Sequence, residues 1–509
     1  MKFLVFLGEK VILVWSFLLF LLLGISSILV RTNMPMDGSE LSNMQTNGIV
    51  FFISLAVFLV LLYFLCSLVF IKESYLFIFG TIFYLIFGVY LILHQNDVLR
   101  HDALAVLEAA KALNNGDFQI LTDVSGYLHK YPHQLGLVSF ERLILTLFGE
   151  ANVKVFFILN LLMAIADNFF LWKITRRLFK KESISKLVIL LSFVFFSHLF
   201  NILFVYGLTY ALFFAIIGLY FLQIYFEKRT WFTLILSIVF LTLSDIIRNN
   251  YIILIASILI VLTLDFLRNK AKKNLAFIVI LLFSIFASNH AISGYYKNLA
   301  NTSNLEGEPK IAWIAMGLND TPLYNRVAGW YDAYVENVYN EYNGDSEDIE
   351  KASEEQITSR INYMIKHPKY AWNFFKNKFL STWTDSLFES IWSGPVTKMP
   401  VEGQKITGRL MDSIYHGKTI YKLLYYFSAL LLVVIYLSVI PSIFSQFIQK
   451  KSVNLYLLIP LIYLSGGFIF HLIWETKSQY VYPYVYLLLP LSAFGLDYIT
   501  TYVKELRTS

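Results

Sequence analysis

The sequence predicts an all-α polytopic membrane protein: a bundle of about twelve transmembrane helices, with juxtamembrane helices and an α-rich loop region on its outer face. Three observations carry this. Of 509 residues, 57% are hydrophobic and 15% charged, against about 25% charged in a soluble domain. Mean hydropathy is +0.61. Apolar runs recur along the chain, each long enough to cross a hydrocarbon core of about 30 Å as a helix.

The spans fall at 11–30, 48–70, 76–93, 154–172, 185–204, 207–226, 231–247, 251–267, 275–293, 420–445, 453–473 and 480–498. The first is longer than a signal-peptide core, and no small-x-small cleavage pattern follows it, so it is expected to be retained. Segment 134–148 is apolar too, but it is short and holds Glu141 and Arg142. It is expected to be re-entrant or interfacial. Four parts follow: an N-terminal transmembrane hairpin (1–75), a core (76–293) with the first outer loop at 94–153, a long outer loop region (294–419) and C-terminal spans (420–509).

Lys and Arg set the orientation. Lys173, Arg176, Arg177, Lys180 and Lys181 form one short basic loop. Lys228 and Arg229 form a second, Arg268, Lys270, Lys272 and Lys273 a third, Lys450 and Lys451 a fourth. Basic loops stay in the cytoplasm, so both termini are expected there and loops 94–153 and 294–419 outside, at a cell (plasma) membrane. The net charge of +6 is this topology signal and implies no nucleic-acid partner. The single cysteine, Cys66, lies in a span and permits no intramolecular disulfide. Many of the 33 Tyr are expected at the headgroup level, where an apolar ring with a polar end fits best. In the long outer loop, an acidic helix-prone stretch precedes HPKYAWNFFKNKFLSTWTDSLF, whose interleaved Trp, Phe and Lys suit a helix on the membrane surface. That loop shows no phosphate loop or nucleophile elbow, and no repeat of about 20–50 residues is visible along the sequence.

Polar chemistry concentrates in 94–149. Asp102 opens the run ALAVLEAAKAL, which stops at Asn114-Asn115-Gly116. Asp is a favoured helix cap, so Asp102 is either a cap or a working carboxylate. Asp97, Arg100 and His101 lie within a few residues, and a carboxylate against apolar walls acquires a raised pKa suited to a general base. Tyr127, Lys130, Tyr131, Pro132 and His133 follow after a turn. An ammonium beside a Tyr hydroxyl holds a lipid phosphate through charge-assisted bonds; the same residues also serve as plain interfacial anchors. Arg248, between two spans at the outer end, is either a snorkelling side chain or a second clamp on phosphate. Near the C-terminus, FIFHLIWETKSQYVYPY puts His471, Glu475 and Lys477 at the outer turn before the last span. They are either solvated loop charges or functional groups at membrane depth. Asp167 and Asn160, inside a span, are expected to make helix-to-helix polar contacts.

Taken in order, these residues resemble the bacterial GT-C membrane glycosyltransferases, the group that includes the aminoarabinose transferase of lipid A and the protein O-mannosyltransferases. Asp102 is similar to that family's first-loop acid, and a helix then runs to Gly116-Asp117. Tyr127-Leu128-His129-Lys130-Tyr131-Pro132 resembles its Tyr-x-x-Lys-Pro-Pro turn, and a helix ends at Phe148-Gly149. Glu475 and Tyr480 resemble the tail motif. The resemblance covers the chain from about residue 76. Three positions depart from it: Tyr131 replaces the first Pro, Gln479 the tail Arg, and Ala103 a second acid. Asp102 fits better than Asp97 by its distance to Gly116.

The resemblance implies a GT-C-like bundle that moves a sugar from a polyprenyl-phosphate donor to a glycan, glycolipid or protein acceptor of the cell envelope, with inversion. It implies Asp102 as catalytic carboxylate; Tyr127, Lys130, Arg248 and Lys477, which come from separate segments but all map to the outer face, are expected around the donor phosphate. Asp97, Arg100, His101, Tyr131, His133, His471, Glu475 and Gln479 are then expected to line the substrate pocket. Some members use a divalent metal; no ligand set for one stands out. The competing functions are a transporter or flippase of lipid-linked sugars, a ligase or polymerase of lipid-linked glycans, and a non-catalytic envelope assembly protein. A transporter is expected to carry internal repeats and charges at the midplane; here the charges cluster at the outer ends of the spans.

Overall fold

A computed structural model describes residues 2–36, 40–68, 71–95, 98–149, 152–320, 327–395, 408–448 and 453–508. Among them the chain is helical nearly throughout, apart from one two-stranded antiparallel sheet, Val30–Asn33 with Asn43–Thr46. Eight helices are long and apolar enough to cross a membrane, and a ninth crossing arises if the bent pair Glu182–Val194 and Phe196–Leu203 is one span. Two shorter apolar helices, Ile49–Leu65 and Trp231–Ile247, accompany them. Over their described residues the twelve segments expected from the sequence are mainly helical, but these lengths do not establish twelve crossings. Segment 480–498 is not one straight helix: Ser478–Tyr486 ends after Pro483, and Leu489–Thr508 begins anew.

The central helices are Leu208–Lys228 and Thr419–Ile448, buried over most of their length. The first packs on Trp231–Ile247 and Lys154–Phe179, the second on Lys2–Leu29 and Leu489–Thr508. Glu73–His94 and Lys273–Ala300 are peripheral, with few of their residues buried, as lipid-facing surfaces allow. Segment 134–148 is the helix Leu135–Phe148. It lies along His101–Asn114, where Arg142 Nε donates to Asn114 Oδ1 at 3.0 Å.

The basic loops gather at one end of the bundle. Arg176 pairs with Glu73 at 2.8 Å, Arg177 with Glu227 at 2.5 Å, Lys181 with Asp497 at 2.6 Å and Arg229 with Asp265 at 2.6 Å. Arg268 pairs with Glu9 and donates to Val453 O. Lys450 and Lys451 lie outside the described residues. The aromatic stretch of the long loop does not rest wholly on a surface. It forms Pro368–Trp383, with Pro at its start, where the missing N–H costs nothing. Trp372 is exposed, but Phe374, Lys378, Phe379 and Trp383 are buried. Asn160 Nδ2 donates to Ile202 O at 3.0 Å, a contact between helices. Asp167 is buried beside His198, at 3.7 Å.

Candidate active site

The helix His101–Asn114 starts without a side-chain cap; Arg100 holds the cap position and Asp102 stands in the first turn. Asp102 is therefore not the cap. His101 adopts φ +46°, a left-handed conformation that costs about 1 kcal/mol or more in a non-glycine residue. The Asp102 side chain is accessible, yet protein surrounds it closely enough to raise its pKa. Burial is the main cause, with the negative charge of Glu40 adding to it; the charge of Lys477 opposes both. Accessibility and desolvation coexist where a group lines the wall of a deep recess. His133 has the same character: it is exposed, and its pKa is lowered to about 4 by burial and then by Lys310.

Tyr206 lies at the centre of this recess. Its hydroxyl accepts from Gln134 Nε2 at 2.8 Å and faces Tyr127 and Asp102. Arg248 Nη1 donates to Tyr206 O at 2.9 Å, and its guanidinium sits 5.5 Å from the Tyr206 ring and 5.6 Å from that of Tyr480. Arg248 therefore points into the recess, away from lipid. Tyr127, Tyr131, His133 and Trp313 form one aromatic wall, with Tyr127–Tyr131 centroids 5.0 Å apart and Tyr131–Trp313 6.2 Å apart. Arg100 lies over Trp392 at 4.3 Å and donates to its carbonyl at 2.7 Å; His101 stacks on the same ring.

The tail turn makes the opposite wall. Glu475 N donates to Trp313 O at 3.3 Å and Thr476 N to Gly329 O at 2.9 Å. The buried Lys378 ammonium donates to Gly317 O at 2.6 Å and Trp474 O at 2.8 Å. These bonds fix the chain on both sides of Lys477, whose ammonium is paired with Glu40 and lies 5.5 Å from the Tyr331 ring. Glu475 and Lys477 are largely buried and are not solvated loop charges. Burial pushes the Glu475 carboxyl up to about 7 against the pull of Lys477. Burial disfavours charge on Lys477, but Glu40, Tyr480 and the nearby acids outweigh it and keep the ammonium charged. His471 is buried, stacks on Tyr480 and bonds Thr476 at 3.3 Å. Gln479, at the position of the tail Arg, takes a 3.5 Å bond from Ser393.

Several site groups gave no signal in the sequence. Glu389 accepts from Ser478 N at 2.9 Å and Ser478 Oγ at 2.7 Å; burial, then the charge of Glu40, raises its pKa to about 8. Phe388 and Glu389 are both left-handed, at φ +49° and +56°, in a turn held by Asp385, which accepts from Leu387 N and Glu389 N at 3.0 Å. Such strain persists only where the surroundings impose it. Glu308, Glu40, Tyr206 and Lys378 were also missed. Only Tyr206, beside Gly207 at the outer end of two spans, had a context that pointed to it.

Of the expected residues, Asp102, Tyr127, Arg248 and Lys477 meet around Tyr206. Lys130 stands to one side: its ammonium donates to Asn340 Oδ1 at 3.1 Å and lies 5.3 Å from the Tyr339 ring. Asp97 lies outside the described residues. No group of three or more His, Cys, Asp or Glu among the described residues is arranged to hold a metal ion. A separate cleft of about 760 Å³ opens at the basic end, lined by Arg177, Asp265, Arg268 and Tyr456 among others. Its arginines are engaged with Glu227 and Glu9.

Residues 137–292 match the family model for dolichyl-phosphate-mannose-protein mannosyltransferases. The match covers less than a third of the chain and includes Tyr206 and Arg248, but neither Asp102 nor the tail turn. No curated protein and no solved structure matches the chain. The family match, with the all-α multi-pass fold, supports a membrane glycosyltransferase of the GT-C type.

Proposed function

We propose that the chain transfers a sugar from a polyprenyl-phosphate donor to a cell-envelope acceptor at the extracytoplasmic face, with Asp102 as general base. The observation that carries this is the meeting of a desolvated carboxylate, Asp102, with two cations, Arg248 and Lys477, across Tyr206. The matched family is named for a lipid-phosphate sugar donor, which supports the same donor class here.

In this reading Asp102 takes the proton of an acceptor hydroxyl. That oxygen attacks the anomeric carbon from the face opposite the phosphate, and the bond from carbon to phosphate oxygen breaks. Its electron pair leaves with polyprenyl phosphate, inverting the carbon. Arg248 and Lys477 stabilise the charge that develops on the leaving phosphate, as fixed charges do best in a desolvated site. Tyr127 adds a hydroxyl, and the aromatic wall of Tyr131, His133 and Trp313 offers a face for the sugar. Lys130 contributes a cation at the rim. The basic end of the bundle then faces the cytoplasm with both termini, in a plasma membrane.

The test is transfer by the purified protein in detergent, supplied with a polyprenyl-phosphate sugar and an acceptor extract. An enzyme works without a sealed membrane, whereas a flippase needs two compartments. Transport in vesicles with no transfer in detergent would overturn the proposal.

A further inference from the structure

We infer that Glu40 occupies the Lys477 ammonium as a stand-in for the donor phosphate, and that donor binding exchanges one anion for the other. This deepens the function proposed above and rests on it. It also gives the N-terminal hairpin a role in the site.

The hairpin is docked with care for a surface loop. Its strands are Val30–Asn33 and Asn43–Thr46, and Glu40 is carried on the connection between them. Thr32 N donates to Thr384 O at 3.1 Å, and the two Thr hydroxyls meet at 2.7 Å. Met34 packs with Trp330 and Trp392, and its carbonyl takes a 2.7 Å bond from the Tyr421 hydroxyl. The hairpin thus sits on the segment that holds Glu389, and Glu40 reaches a lysine 437 positions away in sequence.

The pair is largely buried, with 13% of the Lys477 side chain and 11% of the Glu40 side chain exposed. Breaking a buried pair by removing one member is costly, because the other is left without a counter-ion. An incoming phosphodiester carries one negative charge on oxygen, as a carboxylate does. It can take over Lys477 without leaving the ammonium bare. The released carboxylate keeps a cationic neighbour, since its charge already acts on Arg100. Glu40 is the acid paired with Lys477, whereas the Glu389 carboxylate is taken up by Ser478 N and Ser478 Oγ.

The experiment measures binding of polyprenyl monophosphate, the leaving group, to the full-length protein in detergent. It compares wild type, Glu40→Gln, Lys477→Gln and the double variant, each checked by thermal unfolding to be folded at the assay temperature. Glu40→Gln should bind about tenfold more tightly, since a competitor worth about 1.4 kcal/mol is removed. In the Lys477→Gln background the same change should have no effect. Equal or weaker binding by Glu40→Gln overturns the inference, as does a gain that persists without Lys477; both leave the glycosyltransferase reading standing. Absence of binding in all four proteins removes the donor-phosphate reading and the inference with it.

Discussion

Asp102 gains nothing as a helix cap, because no capping bond exists for it to make. Asp102→Asn should therefore not lower expression or unfolding temperature, while turnover falls by roughly 10²–10⁴, the share a general base supplies. Its raised pKa predicts an acid limb in the pH profile of kcat/KM above the ordinary Asp value of about 3.9. A profile flat down to that value would contradict the role. The other raised carboxyls affect stability. Glu308 and Glu389 hold protons up to about 8 in the folded chain, whereas an unfolded Glu releases its proton near 4.3. Their contribution is complete below the unfolded value and is lost as pH rises through about 8. Lys378, lowered to about 7 by burial, acts in the opposite sense between about 7 and about 10.4, where only the unfolded chain stays protonated. The unfolding temperature should fall between about pH 6.5, above which the depressed His133 no longer opposes the trend, and about pH 8, and Glu389→Gln should flatten that fall.

At the scale of elements, the tail turn depends on a close approach. A Cβ at Gly317 would meet Ile473 O and Trp474 C at 2.5 Å. Gly317→Ala must push the turn that carries Glu475 and Lys477, at an overpacking cost of about 1–3 kcal/mol. The donor KM should rise more than kcat falls, measured by steady-state transfer. An unchanged KM would mean that the turn does not shape the donor site. The long helices were readable from the sequence, because eight of them, among the described residues, have the length and apolarity a bilayer imposes. The stop at Asn114-Asn115-Gly116 was readable too: Gly116 takes φ +79°, as a helix-ending glycine should. The break after Tyr486 was not, since apolar residues run continuously through it. Nor was the inward turn of Lys378, whose spacing among Trp and Phe is that of a surface helix. Its burial depends on the two carbonyls it meets, at Gly317 and Trp474, which are remote in sequence. The ion pair of Glu40 with Lys477 is invisible for the same reason, since no local pattern marks partners so far apart.

Over the whole molecule, charge divides into two ends. Basic loops cross-linked by ion pairs form one; the recess with its carboxylates forms the other. Cysteine labelling of intact cells should modify positions in 94–153 and 294–419, and labelling of Lys270→Cys from outside would invert the topology. The central claim, however, is that the recess performs sugar transfer through Asp102. The most direct measurement is release of polyprenyl phosphate from a polyprenyl-phosphate sugar by purified protein in detergent, for wild type and Asp102→Asn, with donor binding measured on the same samples. The account predicts turnover by the wild type, and a variant that binds donor equally but turns over roughly 10²–10⁴ times more slowly. Near-normal turnover by Asp102→Asn would contradict it.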